Sequence, residues 1–162
     1  MAQVKSYRYA VVDVFTAEPL AGNPLAVFPG ASEFDETTMQ KIARELNLAE
    51  TAFVLPATRE DCVARVRIFT PAKELAFAGH PTIGTAFVLF QEETISRNSS
   101  EFSLGEEVGP SRFELKEASA RSYSRMFAPE YGVPEDPATG SSTGPLAVFM
   151  MRHHFISKAG AA

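Results

Sequence analysis

Three side chains in this sequence are the candidates for moving a proton: Glu50, His80 and Asp136. Glu50 directly precedes Thr51-Ala52-Phe53-Val54-Leu55, so its carboxylate is expected at the edge of an apolar strand. Apolar surroundings disfavour the charged form, push a glutamate's pKa upward and suit it to general acid–base work. A surface carboxylate capping a strand is the plainer reading of the same residues. His80 falls in the turn Gly79-His80-Pro81-Thr82, where an imidazole could donate to an anion or carry a proton near neutral pH. A histidine in a turn can equally be a structural hydrogen-bonder, and Asp136 can equally be a helix cap.

Two segments share a design. Gly79-His80-Pro81-Thr82-Ile83-Gly84-Thr85 and Asp136-Pro137-Ala138-Thr139-Gly140-Ser141-Ser142 each set small and hydroxylated residues before an apolar helix. A helix N-terminus offers unpaired backbone N–H groups and the positive end of a dipole, so it attracts anions. Two such starts point to a carboxylate ligand held between them; two well-capped core helices would look the same. Gly140-Ser141-Ser142-Thr143-Gly144 fits the nucleophile elbow of serine hydrolases, but His153 and His154 follow Ser142 with no Asp or Glu after it. No Gly-Lys-Ser/Thr follows either glycine turn, which excludes a P-loop. With three His and the single Cys62, neither a metal site nor an internal disulfide is expected.

The elements that must position these residues can be read from periodicity. Tyr9–Thr16 alternates and reads as a strand; Leu20–Pro24 is a turn, and Leu25–Phe28 a second strand. Asp35 opens a helix with Met39, Ile42, Ala43 and Leu46 on one face. Thr51–Leu55 and Val63–Phe69 are further strands, and the turn Phe77–Thr82 feeds an apolar helix over Ile83–Phe90. Two strand-like pieces surround Gly105 and Gly109 within Ser96–Glu117. After Lys116 comes a small, polar, aperiodic stretch, then the turn from Glu135 to Ser141, a helix near Pro145–Met151 and a fraying tail. The expected class is α+β, a largely antiparallel sheet packed around helices.

The 162 residues suffice for one ordinary domain, and a chain of this size buries about 70% of its unfolded surface. Hydrophobic residues make up 45%, including 13 Phe, enough for a core. A net charge of −5 with scattered Lys and Arg argues against a nucleic-acid partner. No apolar run reaches the ~18 residues of a membrane helix, and no signal core is read at the start, so a cytoplasmic location is expected.

Five motifs in order now carry a resemblance. Ala21-Gly22-Asn23-Pro24-Leu25-Ala26-Val27, Asn47-Leu48-Ala49-Glu50-Thr51-Ala52-Phe53, Arg67-Ile68-Phe69-Thr70-Pro71 with Glu74, Phe77-Ala78-Gly79-His80-Pro81-Thr82, and Glu135-Asp136-Pro137-Ala138-Thr139-Gly140-Ser141 resemble the phenazine biosynthesis-like (PhzF-like) isomerase family. The resemblance implies a diaminopimelate-epimerase-like fold, two lobes with a cleft between them and one central helix in each. It implies a biosynthetic, cofactor-independent and metal-free proton shift on a small cyclic or aromatic-precursor carboxylic acid. Glu50 falls on the family's proton-shuttling glutamate, His80 and Asp136 on its cleft-lining partners. Gly79, Gly140 and Ser141 fall where the substrate carboxylate is cradled, with Asn23 and Thr82 expected among the substrate-binding residues. A two-Cys racemase is excluded, because Cys62 is alone. Family members are much longer. Here residues 1–118 correspond to a first lobe, and 119–162 to a remnant of the second, its motif turn and central helix without most of the strands. The remnant helix would expose Leu146, Phe149 and Met150, favouring self-association as a homodimer. A catalytically dead binding or self-associating descendant is therefore the alternative to an active isomerase.

Overall fold

The computed structural model describes residues 5–95, 101–114, 126–128 and 133–136. Seven strands form one mixed sheet: β1 (Ala10–Val14), β2 (Asn23–Phe28), β3 (Glu50–Leu55), β4 (Ala64–Phe69), β5 (Glu74–Leu75), β6 (Glu101–Glu106) and β7 (Gly109–Glu114). Helix α1 spans Glu36–Leu46 and α2 spans Gly79–Gln91. The strand order is β1-β2-β3-β4-β6-β7, with β5 paired to β4. The class is α+β, as expected, but two pairings are parallel. β2 runs parallel to β3 and β4 parallel to β6, because a helix-bearing crossover over α1 or α2 returns the chain in the same direction.

Strand alternation divides the core into two layers. Leu25 and Val27 of β2, Ala52 and Val54 of β3, Val66 and Ile68 of β4 and Leu104 of β6 pack with Val88 and Leu89 of α2. Phe28, Phe53 and Phe69 face the other way and pack with Met39 and Ala43 of α1. Phe53 is the hub of that second layer, stacked on Phe28 at 5.0 Å and edge-on to Phe69 at 5.5 Å. The helix α1 starts and stops on sequence signals. Asp35 accepts from Thr38 N–H at 2.7 Å as N-cap, and Asn47 ends the helix in the left-handed region at φ 52°.

Helix α2 departs from expectation at its start. The expected turn over Gly79–Thr82 is already helical, so the helix begins at Gly79 rather than Ile83. Pro81 fits there because a first-turn N–H has no intrahelical partner to lose. The two-residue strand β5 was not expected from sequence. It closes a short antiparallel return onto β4 through Phe69↔Glu74. Two further strands, β8 (Met126–Ala128) and β9 (Val133–Asp136), pair antiparallel, with Asp136 opposite Met126. Glu135 and Asp136 thus end a strand where a turn was expected. The helix expected at Pro145–Met151 and the tail lie outside the described residues.

Candidate active site

The chain leaves α1 through Asn47 and three residues later enters β3 at Glu50. Glu50 pairs in parallel register with Leu25 of β2. Alternation puts it on the same face as Ala52 and Val54, the face that α2 covers. It is only 6% exposed, so the plainer reading of a surface carboxylate is wrong: a strand start beside α2 is an interior position here. His80, the second residue of α2, is 2% exposed, and its Nε2 lies 3.5 Å from Oε2 of Glu50. That separation makes an ion pair when the imidazole is protonated and is long for a hydrogen bond. Asn23 opens β2 two residues before Leu25, so it shares the α2-facing side, and it is fully buried.

Gly79 is the first residue of α2 and only half-buried, while the N-cap Ala78 has no side chain able to cap. Thr82 Oγ1 lies 2.7 Å from the carbonyl of Ala78 and 2.5 Å from Oε1 of Glu106. The other Glu106 oxygen is hydrogen-bonded to the hydroxyl of Ser111 on β7. Burial pushes the Glu106 carboxyl above the usual range, and the two hydroxyls only partly offset it. Glu106 and Ser111 were missed from sequence. The available signal was alternation: Phe102, Leu104 and Glu106 fall on one strand face, and the first two are core residues.

The structure brings Glu50 and His80 together at the first turn of α2, and Asn23 is buried on the same sheet face as Glu50. Thr82, with Glu106 and Ser111, borders the same turn. The side chain of Asp136 and all of Gly140 and Ser141 lie outside the described residues. Among the described residues no group of three His, Cys, Asp or Glu could hold a metal ion, and no helix is long and apolar enough to cross a membrane. Cys62 is buried, and burial pushes its thiol pKa up, which works against the thiolate form.

A family model described as "Phenazine biosynthesis-like protein" matches residues 12–120 and 106–161. The chain is 33% identical to a trans-2,3-dihydro-3-hydroxyanthranilate isomerase of Pseudomonas aeruginosa, covering 93% of this chain and 82% of that protein. That alignment runs over 228 positions against a chain of 162 residues, so the relative carries internal sequence this chain lacks. An uncharacterized isomerase of Pasteurella multocida is 55% identical over 53% of this chain, which is 30% of that protein. Among solved structures, a PhzF-family phenazine biosynthesis protein of Enterococcus faecalis superposes with a TM-score of 0.77 at 24% identity, over 93% of this chain and 84% of the other.

Proposed function

The chain belongs to the phenazine biosynthesis-like protein family, and we propose that it is a cofactor-independent isomerase that shifts a proton on a small cyclic carboxylic acid. One observation carries the reading: two buried proton-carrying groups, Glu50 and His80, lie 3.5 Å apart at the N-terminal end of a helix packed on the sheet. In this reading Glu50 is the shuttle. It takes a proton from one carbon of the substrate and returns the same proton to another, so the reaction balances without oxidant, reductant or added group. A buried carboxylate beside an imidazole suits the task, since the neighbour accommodates the charge change as the proton comes and goes. The N–H groups at the start of α2, with the half-buried Gly79, are suited to a substrate carboxylate. Asn23 and Thr82 are proposed to border it, and Asp136, Gly140 and Ser141 to complete the cleft from residues 119–162, against the lobe formed by 1–118. A cytoplasmic, small-molecule enzyme is the setting this implies.

The test uses the substrate named by the Pseudomonas relatives. Incubated with trans-2,3-dihydro-3-hydroxyanthranilate, the purified chain is expected to isomerise it, with the reaction followed by ultraviolet absorbance and proton NMR. Glu50→Gln removes the shuttle without changing its shape and is expected to abolish turnover, a loss on the order of 10²–10⁴-fold or more. No turnover by the wild-type chain, together with no ligand-induced rise in melting temperature, would sink the isomerase reading. A second reading, a binding or self-associating protein of the same descent, draws on the exposed apolar residues Val11, Phe15, Ile83 and Phe87 and on the internal sequence missing relative to the Pseudomonas enzyme. A concentration-dependent mass in light scattering, with Glu50→Gln without effect on any ligand response, is the outcome that favours it.

A further inference from the structure

Glu106 has a role that the proton shift does not use. It is 8% exposed on the inner face of β6, among Phe102 and Leu104. Among the described residues, the groups brought to it are hydroxyls and hydrocarbon: Thr82 from α2, Ser111 from β7, and Ala64 and Val66 on the same face of β4. Arg65 and Arg67 of β4 alternate to the opposite face, and Arg67 is engaged there by Glu36 and Glu74. Among the described residues no Lys or Arg pairs with Glu106, so an ionised carboxylate there would be a buried charge without a counter-charge.

Counting protons assigns its form. Thr82 has one hydroxyl hydrogen and two short contacts, 2.7 Å to the Ala78 carbonyl and 2.5 Å to Glu106. A backbone carbonyl can only accept, and that of Ala78 takes the Thr82 N–H at 3.2 Å and the Thr82 hydroxyl hydrogen. On that count the hydrogen between Thr82 and Glu106 comes from Glu106. We propose that Glu106 is held as the neutral acid and is a positioning residue, clamping the first turn of α2 through Thr82 and so setting His80 against Glu50. As the acid it donates to Thr82 and accepts from Ser111, and every hydroxyl in the chain of contacts is satisfied in one direction. Burial, which raises the proton affinity of Glu106, works in the same direction. Its consequence for catalysis rests on the isomerase reading, but its test needs no substrate.

The experiment is NMR on the full chain with ¹³C-labelled glutamate carboxyls, Glu106→Gln supplying the assignment. The Glu106 carboxyl is expected to stay protonated through the range in which the exposed glutamates ionise. In parallel, the imidazole resonances of His80 are titrated. Glu106→Ala and Thr82→Val are each expected to move the His80 midpoint, whereas Glu106→Gln, which still donates an N–H to Thr82, keeps it at the wild-type value. Ionisation of Glu106 together with the surface glutamates overturns the proposal, and that measurement needs only the wild-type fold. A Glu106→Ala chain that folds, melts lower and leaves the His80 midpoint unmoved reduces Glu106 to a core residue and also overturns it. Failure to turn over trans-2,3-dihydro-3-hydroxyanthranilate leaves these readouts intact, so the clamp and the isomerase reading fall separately.

Discussion

Gly84 tests whether α2 is seated on the sheet as tightly as the site requires. It lies one turn after His80, where the helix crosses β1 and β2. A Cβ built there meets Leu25 Cδ2 at 2.6 Å and Val14 Cγ2 at 2.8 Å, against about 3.5–4.0 Å for an unstrained carbon contact. Both neighbours are core residues, Leu25 at 0% and Val14 at 5% exposure, so neither can swing into solvent. Two effects oppose each other in Gly84→Ala. Helix propensity favours alanine by about 1 kcal/mol. Overpacking by one methyl that must displace two buried side chains by roughly 1 Å costs about 1–3 kcal/mol. The balance is a net loss of about 1 kcal/mol, or about 2–4 °C in melting temperature for a chain of this length. Gly30 is the control, because a Cβ there meets nothing within 4 Å. Gly30→Ala is expected to hold or gain up to about 1 kcal/mol by restricting the unfolded chain. Thermal melts of both variants, with the His80 resonances as a second readout, make the comparison. If Gly84→Ala melts higher by the full propensity gain and leaves His80 unshifted, α2 has slack against β1 and β2, and the tight seating inferred here is wrong.

Two further outcomes follow from the opposite face of the sheet. Arg67 forks onto Glu74 at 2.6 and 2.5 Å, reaches Glu36 at 2.9 Å and lies over the Phe69 ring, tying β4 to β5 and to the start of α1. Arg67→Met is expected to cost about 1–3 kcal/mol, measured by urea unfolding, and Arg67→Lys to recover only part of it because an ammonium cannot fork. At Asp35 the amide and hydroxyl of Thr38 hold the carboxyl below its usual range, so its contribution is present above the unfolded-state pKa and is lost as pH falls through the folded one. Asp35→Ala should therefore melt lower than wild type at neutral pH, with the gap closing in acid; a gap that persists unchanged in acid would show that the cap is not electrostatic.

What was legible in the sequence, and what was not, divides along physical lines. The start of α1 was readable because Asp35 acts within one turn of its own position, and the strands because alternation is local; the left-handed stop at Asn47 was not read. The parallel pairings were not, since strand direction is set by where a crossover lands and not by the residues of the strand. The start of α2 was misjudged because Gly79 and Pro81 are turn residues by habit, yet in a first turn neither is penalised. At the site, the type and order of Glu50 and His80 were visible, but their burial was not. A glutamate at a strand start carries no mark of the helix that will cover it. Glu106 was hidden for a related reason: a lone carboxylate on an apolar strand face reads as an interruption until Thr82 and Ser111 are brought to it from two other elements.

The placement of the proton-carrying pair bears on what a chain lacking internal sequence relative to its Pseudomonas relative could still do. Glu50 and His80 are both supplied by residues 5–95, from β3 and from α2. Among the described residues, α1 leads into Glu50, Gly84 packs α2 on β1 and β2, and Glu106 on β6 contacts its first turn, so the elements around this 3.5 Å separation lie within β1 to β7. In the isomerase reading, a shuttle carried by β3 and α2 keeps its own geometry whatever closes over the substrate. What the remaining residues would supply is the opposing wall and the exclusion of water, which govern how well a substrate is held in register. Loss of part of that wall is therefore expected to fall first on substrate affinity. The order of losses separates the two readings: an isomerase with an incomplete wall binds weakly and still turns over at saturating substrate, whereas a dead descendant binds without turnover at any concentration. Initial rates with trans-2,3-dihydro-3-hydroxyanthranilate, carried to saturation beside Glu50→Gln, distinguish them.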